Sequence, residues 1–122
     1  MTLRTFFVED NVTIRQNLIE TLTELADIQT QGFAETEAES VEWLCSPHNE
    51  WDLAIVDLFL RQGSGLGVLT ACQQRAPHQR MVVLSNYTTD DVKQRCKELG
   101  ADAIFDKSND IDALLEYCLA PR

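Results

Sequence analysis

The 122-residue chain carries 20 acidic and 10 basic residues, a formal charge of −10, and 44% apolar residues. That length suits one domain around one core, and the apolar share argues against disorder. The acidic balance disfavours direct contact with nucleic acid or an anionic membrane, and no apolar run approaches the roughly 20 residues of a bilayer span, so no membrane insertion is expected.

The first apolar run, Thr5-Phe6-Phe7-Val8, reads as a strand and meets Glu9-Asp10 at once. It is too short for a signal peptide, and a cytoplasmic protein is the expectation. Ile14, Leu18, Leu22 and Leu25 then recur at spacings of three and four, predicting a helix with one buried stripe. Thr30-Gln31-Gly32-Phe33-Ala34 is a more polar strand, suited to a sheet edge. Thr36-x-x-Glu39 is a capping box opening a helix with Val41, Trp43 and Leu44, stopped by Pro47. The apolar strand Leu53-Ala54-Ile55-Val56 runs into Asp57. Leu66, Leu69 and Cys72 mark a third helix ending near Pro77. Met81-Val82-Val83-Leu84 is a fourth strand, followed by Ser85. Val92, Cys96 and Leu99 mark a helix that Gly100 terminates. Ala103-Ile104-Phe105 leads to Asp106-Lys107, and Asn109 is placed to cap a fifth helix carrying Ile111, Leu114, Leu115 and Cys118.

Cys45, Cys72, Cys96 and Cys118 lack C-x-x-C spacing and lie in apolar helical contexts, which predicts buried free thiols. His48 and His78 fall in polar connections with no third ligand in view, as surface residues do.

Strands alternating with helices predict an α/β fold, a doubly wound five-stranded parallel sheet with five helices. Such sheets place their functional crevice beyond the carboxyl ends of the strands. There the chain presents Glu9 and Asp10, Asp57, Ser85 and Lys107. Clustered carboxylates repel unless a cation joins them, and Mg²⁺ or Mn²⁺ suits all-oxygen ligands while leaving room for phosphate oxygens. Asp57 at the end of an apolar strand fits a nucleophile for phosphoryl transfer, with Lys107 and Ser85 to meet the phosphoryl oxygens.

Four motifs in order, Phe6-Phe7-Val8-Glu9-Asp10-Asn11, Asp57-Leu58-Phe59-Leu60 with Gly63-Ser64-Gly65-Leu66, Val82-Val83-Leu84-Ser85-Asn86, and residues 100–107, resemble the receiver domain of two-component response regulators. The family includes the bacterial chemotaxis regulator and has a flavodoxin-like fold. The resemblance implies a Mg²⁺ site of Glu9, Asp10, Asp57 and the backbone carbonyl of Phe59, with Asp57 as phosphoacceptor and Lys107 and Ser85 assisting. It implies a phosphohistidine donor on a histidine kinase or histidine phosphotransfer protein, self-phosphorylation and autodephosphorylation chemistry, and output through an unidentified downstream protein. The switch region would be Ser85, Tyr87, Ile104 and Phe105.

The chain departs from the family pattern at three places. Ser108 stands where proline usually follows the lysine. Ile104 occupies the position of the switch aromatic, and Arg61-Gln62 precedes Gly63 without the frequent proline. A chain ending just after the fifth helix is expected to be a single receiver unit, residues 1–122, with no output domain. The alternative binding-module reading is a pseudo-receiver that signals without phosphorylation. A dehalogenase-type phosphatase would want a second aspartate two residues after Asp57, where Phe59 stands.

Overall fold

A computed structural model describes residues 2–121. Its strands are β1 (Leu3–Val8), β2 (Ile28–Ala34), β3 (Leu53–Val56), β4 (Arg80–Ser85) and β5 (Ala103–Asp106). They alternate with α1 (Val12–Leu25), α2 (Glu37–Leu44), α3 (Gly65–Ala71), α4 (Asp90–Glu98) and α5 (Ile111–Leu119). All strand pairs are parallel, in the order β2-β1-β3-β4-β5. The polar second strand is an edge, as its composition indicates.

The near-continuous apolar runs of β1, β3 and β4 are buried because both faces of the sheet are covered. Phe6, Val8, Ala54, Val56, Met81 and Val83 join the core under α2, α3 and α4. Alternate residues Phe7, Leu53, Ile55, Val82 and Leu84 join the opposite core with Leu18, Leu22, Leu114 and Cys118 from α1 and α5. Among the described residues no helix is long and apolar enough to cross a membrane.

Thr36 Oγ1 accepts from the Glu39 amide at 3.2 Å, and its hydroxyl donates to the Glu39 carboxylate at 3.0 Å, so the capping box forms with a side-chain link. Gly100, at φ +99°, closes α4. Four local expectations change, the first being that α3 ends at Ala71, with Cys72 as its C-cap, rather than near Pro77. The buried residues of α1 are Arg15, Leu18 and Leu22, while Ile14 and Leu25 are 37% and 55% exposed. Helix α1 therefore faces the sheet through a narrower stripe, with Arg15 in place of an apolar residue. The N-cap of α5 is Asp110 rather than Asn109, because the Asp110 carboxylate accepts the Asp106 amide at 2.9 Å and folds the preceding turn. Cys72, Cys96 and Cys118 are buried as expected, but Cys45, at the end of α2, is exposed.

Two features fix the strand ends that matter below. At the lower end of the sheet, Asp52 ties β3 to β1 by accepting the Arg4 amide at 2.8 Å and the guanidinium at 3.1 Å. At the upper end, a Cβ on Gly65 would lie 2.2 Å from the Asp57 carbonyl oxygen, so α3 begins against the backbone of Asp57 only because residue 65 has no side chain. Its amide donates to the Leu58 carbonyl at 2.9 Å.

Gly65→Ala is therefore expected to push α3 away from Asp57 and to cost about 1–3 kcal/mol, as overpacking does, measured by urea denaturation. A second expectation concerns acid. Burial tends to raise the Asp52 carboxyl, but hydrogen bonds and charge from Arg4 outweigh it and hold it below the ordinary aspartate value. A depressed folded pKa gives stability that is present above the unfolded value and lost as pH falls through the folded one. Asp52→Asn should be less stable than the parent at neutral pH and should lose less on acidification, so that the two stability–pH curves converge below the ordinary aspartate pKa.

Candidate functional site

The strand order reverses between β1 and β3, the switch point at which an open α/β sheet forms its crevice. Val8 is in register with Val56, so both strands end level and Glu9, Asp10 and Asp57 emerge side by side. The Asp57 amide donates to the Val8 carbonyl at 2.9 Å, and the Glu9 amide to the Ala34 carbonyl at 3.1 Å. One carboxylate oxygen from each of Glu9, Asp10 and Asp57 lies within 4.8 Å of the other two. Glu9 and Asp57 are buried, and Asp10 is half-buried at the mouth.

Lys107 reaches this cluster from the loop after β5. Its Nζ donates to Glu9 Oε1 at 2.5 Å and to Asp57 Oδ2 at 3.1 Å. Burial works against the ammonium, but Glu9 and Asp57 prevail and raise its pKa above the ordinary lysine value. Burial also pushes the Glu9 carboxyl up, against the pull of Lys107, and the charge of Asp57 adds to the rise. Three carboxylates share one ammonium, an imbalance that a hard divalent cation would correct, and every side-chain donor offered is oxygen. The residues thus fit such an ion. Glu9 Oε2 already accepts the Asn11 amide at 3.2 Å and Oε1 is engaged by Lys107, which leaves Asp10 and Asp57 better placed as direct ligands.

Ser85 is fully buried at the end of β4, and its Oγ accepts the Tyr87 amide at 3.1 Å. The Lys107 amide donates to the Ser85 carbonyl at 3.0 Å, so lysine and serine are carried on one hydrogen-bonded pair of strand ends. Asp106 locks the turn beyond. Its Oδ1 accepts the amides of Ser108 at 2.7 Å and Asn109 at 3.2 Å, and its Oδ2 accepts the Thr88 hydroxyl at 2.9 Å. The Ser108 amide, the Thr88 hydroxyl and the Asn109 amide together hold the Asp106 carboxyl below the usual aspartate range. Ser108 therefore contributes a donor that a proline could not supply. Among the described residues no peptide bond is cis, including the one before Ser108.

The four residues expected to form a switch region separate. Ile104 packs into the core under α4, whereas Phe105 packs into the opposite core with its ring 5.7 Å from that of Tyr117. Tyr87 is 59% exposed and leans on Phe59, itself 60% exposed, with 4.6 Å between ring centroids.

Sequence reasoning missed two supporting groups. Arg15 is buried, and its Nη1 donates to the Glu9 carbonyl and to Glu35 Oε2, both at 2.9 Å, while its guanidinium lies 3.8 Å from the Phe33 ring centroid. It clamps the backbone at the acidic pair. The 15-18-22 spacing was available in the sequence, but an arginine on an amphipathic helix normally reads as solvent-facing. Glu37, in the first turn of α2, accepts the Ser64 amide at 2.9 Å and holds the loop that follows Asp57. Nothing in its local sequence signals that reach.

Known proteins share this fold. The profile of the response regulator receiver domain matches residues 5–118. The DNA-binding transcriptional activator DevR/DosR of Mycobacterium tuberculosis is 27% identical over 89 residues, which cover 73% of this chain and 40% of that protein. The chain thus spans less than half the length of that relative. The response regulator domain of Thermotoga maritima CheB superposes with a TM-score of 0.84 at 21% identity, over 97% of this chain and 94% of the other. The receiver domain of Francisella response regulator 1452 gives 0.82 at 19% identity, over 95% and 93%. With one family profile running from β1 into α5, and the fold shared with its solved members, the chain belongs to the response regulator receiver domain family.

Proposed function

We propose that this chain accepts a phosphoryl group on Asp57 in a Mg²⁺- or Mn²⁺-dependent reaction and signals through phosphorylation-dependent binding of another protein. The observation that carries this reading is the meeting of Asp57 with Lys107 on one side and the Glu9–Asp10 pair on the other. Lys107 donates to one Asp57 oxygen and so orients the buried carboxylate for attack. An Asp57 oxygen attacks phosphorus, the bond to the donor nitrogen or oxygen breaks, and an acyl phosphate forms. In a phosphorelay the donor is a phosphohistidine, whose imidazole departs with the bonding electron pair and takes up a proton. The bound ion would be held by Asp10 and Asp57, with Glu9 behind them and the Phe59 carbonyl as a further oxygen, and would supply charge neutralisation to the transferring group. Ser85 supplies a hydroxyl that can turn from the Tyr87 amide toward a phosphoryl oxygen.

Receiver domains work with histidine kinases or phosphotransfer proteins, and we assign such a partner as the phosphodonor. The downstream target would read the face formed by α4, β5 and α5, which the Ser85–Lys107 strand ends support from behind. A cytoplasmic setting agrees with such partners.

Incubation with Mg²⁺ and acetyl phosphate is expected to add one phosphoryl mass to the intact protein. The gain should vanish in Asp57→Asn and on chelation of the ion. A protein that stays unmodified while kinase-borne phosphohistidine is also refused would instead act as a phosphorylation-independent module. The exposed Phe59–Tyr87 pair, on the loops that leave β3 and β4, should hinder the water that hydrolyses the acyl phosphate. Phe59→Ala and Tyr87→Ala are each expected to shorten the phosphoprotein half-life several-fold with little change in stability. An unchanged half-life in both would remove the rings from that role.

A further inference from the structure

The thiols of Cys45 and Cys72 lie 3.4 Å apart although the two residues are 27 positions apart in the chain. Each is the C-cap residue of its helix, Cys45 of α2 and Cys72 of α3. Because the helices run back along the sheet, the pair sits at the end opposite the carboxylate crevice. Cys45 is exposed and Cys72 is buried. An open cleft of about 850 Å³, bordered by both cysteines with Trp51 and Arg75, gives a small molecule access to them. Burial and the neighbouring Cys45 push the Cys72 thiol up to about 12, so it stays protonated at rest, and Cys45 is the sulfur that meets solvent first.

We propose that Cys45 and Cys72 are a redox modification site, closing to a reversible disulfide in response to a hydroperoxide and thereby stapling α2 to α3. The Cys45 sulfur attacks the peroxide, the O–O bond breaks, and an alcohol or water leaves, giving a sulfenic acid on Cys45. The Cys72 sulfur then attacks the Cys45 sulfur, the S–O bond breaks, and the departing hydroxide takes the Cys72 proton as water. Two thiols and one hydroperoxide become one disulfide, one alcohol or water, and one further water. The fixed proximity of the two sulfurs offsets the weak nucleophilicity of a protonated resolving thiol. In a reducing compartment the dithiol is the resting form, and closure is transient. The site is independent of the phosphoacceptor reading, since neither sulfur belongs to the crevice.

Peptide mapping of the full chain after hydrogen peroxide treatment, without reductant, tests the assignment. The expected product is an intramolecular 45–72 cross-link that a dithiol reductant reverses. It should be absent in Cys45→Ser and retained in a Cys96→Ala/Cys118→Ala variant. The cross-linked form should melt on the order of 10 °C higher than the reduced form, as closing a loop of this length implies. Oxidation that proceeds on Cys45 to sulfinic or sulfonic acid with no 45–72 peptide would overturn the proposal. So would a disulfide that joins two chains through Cys45, or a cross-linked form that melts no higher than the reduced one.

Discussion

The structure is organised around an electrostatic problem, the burial of Glu9 and Asp57 beside one another at the end of an apolar sheet. A buried carboxylate is costly unless it is paired or bound to a metal, and two within a few ångströms oppose each other. Lys107 resolves part of the conflict by bonding both. It can do so only if β5 ends beside β4 and β4 beside β3, so the order of the sheet is a precondition of the site. Removing the ammonium alone would leave two uncompensated charges, a loss that typically exceeds what the ion pairs themselves contribute. The pair therefore says little about stability, and on the proposed function the chain tolerates the charges because their arrangement serves phosphoryl transfer.

The backbone around this cluster is held by groups that touch none of the reacting atoms. Arg15 grips the Glu9 carbonyl from α1, Gly65 lets α3 start against Asp57, and Glu37 secures the intervening loop from α2. Gly67 leaves space for the same Glu37 carboxylate, which a Cβ there would meet within 2.2 Å. Three of the five helices thus hold the crevice in shape through backbone contacts. On the proposed function such rigid support suits phosphoryl transfer, whose catalysis is mostly positioning and charge compensation.

Most of the architecture and the members of the acidic cluster were legible in the sequence, for a physical reason. Strands buried on both faces must be continuously apolar, so a charged residue such as Asp57 at the end of 53–56 stands out against its background. The edge position of β2 followed from the polarity of its residues. What escaped detection depends on contacts distant in sequence. A periodic stripe identifies α1 but does not reveal that Arg15, not Ile14, turns inward to satisfy a carbonyl. Capping propensity favours Asn109 and Asp110 alike, and only the bond to the Asp106 amide decides for the latter. Cysteine spacing in the chain is silent about Cys45 and Cys72, which meet because two helices end together.

The departures from the family pattern near β5 bear on how a change at Asp57 would travel. With Ile104 rather than an aromatic ring beneath α4, no large side chain waits there to exchange an inward for an outward position. The buried Ser85 instead shares its strand end with Lys107, and Asp106 is bonded to Thr88 in the loop that leads into α4. A Ser85 hydroxyl drawn toward a phosphoryl oxygen would release the Tyr87 amide that it now accepts, and Tyr87 is already outside, tilted against Phe59. On the proposed function, the moving part is then the 86–89 loop itself, pivoting on the Thr88–Asp106 bond, with the Phe59–Tyr87 contact as the element made or broken. Such a loop has few buried contacts to give up, so a modest gain in hydrogen bonding at Ser85 suffices to shift its population.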